Sequence, residues 1–277
     1  MNRQKQGHKP RQYIRKLFLI YCLVMLSACQ SPHALFEKKA LAWALTPQVV
    51  KTEFFSHKIY KNNRQSGTKL HIYLTGDGLP WMAGVIPSTD PTPRNSIIFN
   101  LIEQDLSTAL ILGRPCYHGL ANETLCEPSL WTSKRYAPVI INSLSMAIEQ
   151  LSEQYRATNL VLIGYSGGGA LAVLLAEKIP NVSAVITIGA NLNTQLWTQH
   201  HHLLALSGSI NPVERPDLPV KVMQKHYVGS EDKIMPASLL KSYTEGHLAS
   251  ELVIIDDYNH QCCWQDIWPE ILQQIQD

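Results

Sequence analysis

From residue 69 onward, short apolar runs alternate with longer stretches in which apolar side chains recur every three or four positions. Lys69–Leu74, Ala109–Leu112, Leu160–Ile163, Ala184–Ile188, Val220–Val228 and Leu252–Ile255 read as strands. The unbroken apolar run Leu160-Val161-Leu162-Ile163 is what a parallel strand covered on both faces requires. Between the strands, Tyr136–Tyr155 carries Val139, Ile140, Leu144, Ile148 and Leu151 on one helical face. Gly167–Ile179, Pro236–Tyr243 and Trp264–Ile275 are also helical, the last interrupted near Pro269. Repeated strand–helix units predict a mostly parallel central sheet flanked by helices. Upstream, Val49–Phe55 and Lys58–Tyr60 suggest a leading hairpin. The segment Ala190–Pro219 has no strand pattern and leaves room for a small cap at most.

The first 28 residues follow a different logic. A basic stretch ends at Lys16, an apolar run extends from Leu17 through Ala28, and small residues precede Cys29. This is the layout of an export signal, and the apolar run is well short of the roughly 20 residues that span a bilayer. Leu26-Ser27-Ala28-Cys29 resembles a bacterial lipobox, which implies that Cys29 is acylated and becomes the mature N-terminus. By the same resemblance, Gln30 implies sorting to the outer membrane, facing the periplasm. The chain thus divides into a lipoprotein signal peptide (1–28), a tether and short helix (29–48) and one folded domain (49–277).

That division changes the meaning of the charge. The 277-residue chain carries a formal +2, but six basic residues and no acidic ones lie in 1–28. Removing those six leaves 18 basic against 22 acidic residues, a net −4. A mildly acidic domain has no electrostatic footprint for nucleic acid, which is excluded as a partner.

Export to an oxidising compartment bears on the cysteines. Cys116 and Cys126 bracket a polar, glycine-containing loop and are expected to pair. The adjacent Cys262 and Cys263 either close a strained ring or are plain buried residues, and the second reading is preferred. No zinc-ligand spacing is present, and His200-His201-His202 cannot converge on one ion, so no metal and no cofactor is expected.

The chemistry concentrates in Gly164-Tyr165-Ser166-Gly167-Gly168. A Gly-x-Ser-x-Gly between an apolar strand and a helix forms a nucleophile elbow, a turn so tight that side chains at its glycine positions would clash. It exposes the Ser166 hydroxyl above the carboxyl edge of the sheet, where the Gly167 N–H can donate to a developing oxyanion. A serine hydroxyl needs a base, and the base an orienting acid. Asp232, in the loop after the strand ending at Val228, is the candidate acid, with Glu231 a solvated neighbour. His260, past the strand ending at Ile255, is the candidate base. Gly76-Asp77-Gly78 follows the first strand of the sheet, and Asp77 or Gly78 is the expected second oxyanion donor. An Asp side chain beside a forming anion is unfavourable, so that of Asp77 is expected to turn away.

Elbow, acid loop and His loop, in that order, resemble the α/β-hydrolase superfamily over residues 69–268. The stretches Leu112–Tyr117, Trp131–Tyr136 and Leu206–Pro212 are similar to poorly characterised bacterial lipoprotein hydrolases. The chain departs from the lipase pattern in having Gly-Asp-Gly where lipases carry His-Gly-Gly-Gly. The resemblance implies an α/β-hydrolase fold and a serine hydrolase cleaving an ester, thioester or amide through an acyl-enzyme. It implies a small-molecule or lipid-like acyl substrate and a lipid-anchored place in the bacterial cell envelope. An envelope acyltransferase and a non-enzymatic binding lipoprotein are the alternatives.

Overall fold

The computed structural model describes residues 31–65, 67–94 and 97–275. Helix α1 (Pro32–Ala42) leads into a hairpin of β1 (Thr46–Lys51) and β2 (Ser56–Lys61). Strand β3 (Lys69–Leu74) is followed by a two-stranded hairpin, β4 (Trp81–Met82) and β5 (Ile86–Pro87), then α2 (Ile98–Gln104) and β6 (Thr108–Leu112). The rest alternates: α3 (Pro138–Tyr155), β7 (Asn159–Tyr165), α4 (Gly167–Ala176), β8 (Val182–Ile188), α5 (Thr194–His200), β9 (Met223–Gly229), α6 (Ala237–Thr244), β10 (Ser250–Ile255) and α7 (Trp264–Gln273). Eight strands form one sheet in the order β1-β2-β6-β3-β7-β8-β9-β10. All neighbours from β6 to β10 are parallel, and the β1–β2 hairpin adds two antiparallel strands at one edge.

Side-chain alternation along β7 shows how the sheet is covered. Leu160 and Leu162 enter the core built with α3 and α4, while Val161 and Ile163 enter the core holding Phe36, Trp264 and Trp268. Both faces are dry, which is why the strand has no polar position from Leu160 through Ile163. The second core includes Phe36 and Ala40 of α1, so this helix packs into the domain.

Four local readings are refined. The strand read as Val220–Val228 starts at Met223, because Val222 N–H closes a turn on Pro219 and leaves Val220 92 % exposed. The helix read from Tyr136 starts at Pro138, whose fixed φ and missing N–H suit a first helical position. The hairpin β4–β5 and the helix α5 within Ala190–Pro219 had no clear periodic signal. Cys116 and Cys126 are bonded, and Cys262 and Cys263, instead of being plain buried thiols, are half-buried and joined to each other.

Candidate active site

The link from β7 to α4 is forced by glycine. A Cβ on Gly164 would lie 2.4 Å from the Gly168 carbonyl oxygen, and one on Gly168 would lie 2.1 Å from that of Leu74. Ser166, between them, adopts φ 54° and ψ −124°, a conformation that costs a non-glycine residue about 1–3 kcal/mol. Surrounding bonds hold it there: Ser166 N–H donates to the Ile188 carbonyl (2.8 Å), and its own carbonyl accepts from Gly169 N–H (2.9 Å). Ser166 is half-buried while Val161–Tyr165 and Gly167–Ala170 are fully buried. The turn therefore lifts one hydroxyl-bearing residue out of a buried segment, at the amino end of a helix.

Asp232 and His260 are brought together on adjacent loops. His260 Nδ1 lies 2.7 Å from Asp232 Oδ2, and the other carboxylate oxygen accepts Ile234 N–H (2.9 Å) and Met235 N–H (2.7 Å). Both side chains are buried. With Nδ1–H donating to the carboxylate, neutral His260 carries its lone pair on Nε2. Two contacts tie this pair to the elbow. Tyr165, next to Ser166, donates its hydroxyl to the His260 carbonyl (3.1 Å), and its ring centroid lies 5.0 Å from the imidazole. Gly189, at the end of β8, has φ 53°, and a Cβ there would lie 2.9 Å from His260 Nδ1 and 3.0 Å from Asp232 Oδ2. Sequence reading missed Gly189; its signal was a glycine closing the apolar strand next to the elbow.

The loop after β3 lies across the nucleophile. A Cβ on Gly76 would be 3.3 Å from Ser166 Cβ, and Gly78 takes φ 67° with no room for a side chain against the Pro91 carbonyl. Asp77 behaves differently from expectation. Its carboxylate does not turn away but sits where a Gly167 Cβ would be, 2.0 Å from Oδ1. Arg114 and Arg135 each approach it at 2.8 Å, and Tyr136 donates its hydroxyl to it at 2.9 Å. Burial alone would raise the Asp77 pKa, but Arg135 and Arg114 outweigh it and hold the carboxyl below the ordinary range. Tyr117 completes the set by donating its hydroxyl to the Asp77 carbonyl (2.9 Å). Sequence reading gave these four residues no role, although all four lie in two of the stretches, Leu112–Tyr117 and Trp131–Tyr136, that carry the resemblance to lipoprotein hydrolases.

A second serine–histidine contact, His57 Nε2 to Ser143 Oγ at 2.7 Å, lies elsewhere. Both residues are fully buried, and His57 Nδ1 meets the Gly113 carbonyl, not a carboxylate. Burial pushes the His57 pKa down to about 4. A hydroxyl without access and a base without an acid form a structural bond in the core.

The cap segment starts beside the site, with Asn191 N–H 3.3 Å from the Ser166 carbonyl. Its helix α5 leans on the acid loop through Trp197 Nε1–H and His201 Nε2, both bonded to the Ile234 carbonyl. A cleft of about 480 Å³ lies behind that loop, lined by His200, Ser230, Glu231, Asp232, Lys233 and Pro236. Among the described residues, no three His, Cys, Asp or Glu side chains group as metal ligands.

No family model matches the chain, and no curated protein matches its sequence. Its fold is widely shared. An esterase of Pyrococcus furiosus is 14 % identical with a TM-score of 0.57, over 90 % of this chain and 94 % of that one. A membrane phospholipase A described as a bacterial virulence factor is 11 % identical with a TM-score of 0.55, over 96 % and 97 %. An alpha-beta serine hydrolase homologue from Coxiella burnetii is 9 % identical with a TM-score of 0.53, over 83 % and 94 %. Likenesses at such low identity speak for the fold, and the fold of this chain is that of the α/β hydrolases.

Proposed function

We propose that the chain is a serine hydrolase that cleaves a carboxylic ester, thioester or amide of a lipid-like acyl group through an acyl-enzyme on Ser166. The observation that carries this reading is the buried Asp232–His260 hydrogen bond beside a strained, partly exposed serine. His260 Nε2 takes the proton of Ser166 Oγ as that oxygen adds to the substrate carbonyl carbon. The resulting oxyanion is received by Gly167 N–H and an N–H of the 76–78 loop. The protonated imidazole, stabilised by Asp232, returns its proton to the departing alcohol, thiol or amine. Water, activated by the same histidine, then hydrolyses the acyl-enzyme. The N-terminal pattern through Cys29 supports a place in the bacterial envelope, anchored by acyl chains on that cysteine.

A fluorophosphonate probe tests the assignment directly. The folded wild type should label stoichiometrically on Ser166, and Ser166→Ala should not label at all. Labelling that survives in Ser166→Ala would move the nucleophile elsewhere, and a folded wild type that never labels would end the enzyme reading.

A further inference from the structure

The residues just beyond the 75–80 loop form a small sheet of their own. In the β4–β5 hairpin, Met82 pairs with Ile86 and Trp81 with Pro87. Ala83 and Gly84 turn the chain with positive φ (49° and 75°), as the tight hairpin turns require. Its tip is apolar and projects into solvent: Val85 is 74 % and Ile86 56 % exposed. No charged residue occurs from Leu79 through Thr89. An uncharged, exposed apolar tip is favourably transferred from water to an apolar surrounding.

Topology says what lies beside it. Strand β1 runs in the same direction as the parallel strands, so the helix feeding it must begin at their carboxyl edge, where Ser166 is. Contacts agree: His33, in the first turn of α1, bonds to the Asp90 carboxylate through its N–H (3.0 Å) and Nδ1 (2.9 Å). Asp90 is four residues past Ile86, and Cys29 is four residues before His33. Four residues of extended chain reach about 14 Å at most. The hairpin tip is thus leashed within about that distance of the first turn of α1, whose His33 follows the residue read as acylated by four positions. Positive charge lies near: Arg94, four residues past Asp90, is exposed, and exposed Lys39 reaches its carbonyl from the last turn of α1. Asp90, the acidic residue of the 79–94 stretch, is engaged by His33.

We propose that the Trp81–Pro87 hairpin is a second, protein-borne membrane contact whose apolar tip enters the interfacial layer of an anionic bilayer. The inference rests on the reading that Cys29 is acylated. The lipid anchor alone would leave the domain free to rotate on its leash. The hairpin and the nearby positive charge fix one orientation, because apolar burial and attraction to anionic headgroups act together. That orientation faces the Ser166 edge of the sheet toward ester groups at the membrane surface.

The full chain, produced with its own N-terminus in a bacterial host, should be reconstituted in vesicles of phosphatidylethanolamine and phosphatidylglycerol. A Val85→Cys variant carrying an environment-sensitive fluorophore reports the tip. Leu248→Cys, 92 % exposed just before β10 at the opposite edge, is the control. Spin-labelled lipid should quench the probe at 85 several-fold more than the probe at 248, with a blue shift at 85 only. Equal quenching at both positions overturns the proposal. A blue shift at 85 without lipid quenching also overturns it, since a second copy or another protein then covers the tip. Mass analysis of the N-terminal peptide separates the two layers. An unacylated Cys29 removes the anchor reading and the docking with it, whereas an acylated Cys29 with a wet hairpin removes the docking alone.

Discussion

Asp77 Oδ1 lies 2.8 Å from Arg114 Nη2, and Arg114 is sandwiched between the rings of Tyr117 and Tyr136, 5.7 and 5.6 Å from their centroids. With Arg135 on the other carboxylate oxygen, two buried guanidinium groups face one carboxylate directly under Gly167. Asp77→Ala would leave both cations buried without a counter-charge, so it should destabilise the fold by about 3–5 kcal/mol, read as a shift in the urea midpoint. Asp77→Asn keeps a hydrogen-bond acceptor for Tyr136 and should cost less.

The same cluster should matter for turnover. Arg135→Met takes the Asp77–Arg114–Arg135 cluster from a net charge of +1 to zero beside the N–H groups assigned to the oxyanion. Losing that positive potential removes stabilisation of the charge that develops in the transition state, so kcat should fall by about tenfold or more, with a smaller change in KM. Arg135→Lys should recover part of the loss. A change confined to KM would mean that the cluster shapes binding instead.

Asp232→Asn should lower kcat by about four orders of magnitude while leaving the fold intact, because an amide at that position favours the wrong imidazole tautomer. Steady-state hydrolysis of a soluble aryl ester against a urea titration of the same protein separates the two effects. A loss of activity that tracks a loss of stability would make Asp232 a structural residue.

How much of this was legible follows from the range of the interactions. Ser166, Asp232 and His260 stand out in sequence because each is marked locally, by a glycine pentapeptide or by the end of an apolar strand. Strand β3 was read to its exact ends, since its apolar run is bounded by polar and glycine positions on both sides. The Asp77–Arg114–Arg135–Tyr136 cluster was not legible. It joins residues 37 to 59 positions apart through side-chain contacts, and nothing local distinguishes a buried arginine from a solvated one. The β4–β5 hairpin escaped for the opposite reason: two-residue strands are too short to show a period. Gly189 sat in plain view, but its role depends on the Asp232 and His260 loops closing over it.

Reduction of the Cys116–Cys126 bridge should cost about 3 kcal/mol of stability, the loop-closure entropy of a loop of about ten residues. The bridge closes the stretch that begins next to Arg114 and contains Tyr117. The paired Cys116→Ser and Cys126→Ser variant should therefore lose activity at a lower denaturant concentration than the wild type, while its kcat without denaturant stays near wild type. A bridge with no effect on the unfolding midpoint would show that the loop is held by packing alone.

Three buried imidazoles set the acid limit of the fold. Burial pushes the pKa of His57 down to about 4 and those of His118 and His226 down to about 3, from an ordinary value near 6.5. His57 is bonded between the Gly113 carbonyl and Ser143, and His226 Nδ1 meets Thr187 Oγ1 at 2.8 Å. In the unfolded chain each would bind a proton below about pH 6.5, whereas in the folded chain each stays neutral until the lower value is reached. The unfolded state therefore holds more protons in that window, and stability falls as pH falls through it. Each imidazole contributes a slope of up to about 1.4 kcal/mol per pH unit, so the three together should remove about 4 kcal/mol per unit below pH 6. Asp77, whose folded pKa lies below the ordinary carboxylate range, adds its own loss only under more acidic conditions, below about pH 4. Urea midpoints at about pH 7, 6 and 5 measure the slope, and His226→Asn should reduce it by about one third. Because each variant is compared with itself across pH, the result does not depend on what the substitution costs at neutral pH. A slope unchanged in His226→Asn would mean that this imidazole is already protonated in the folded protein.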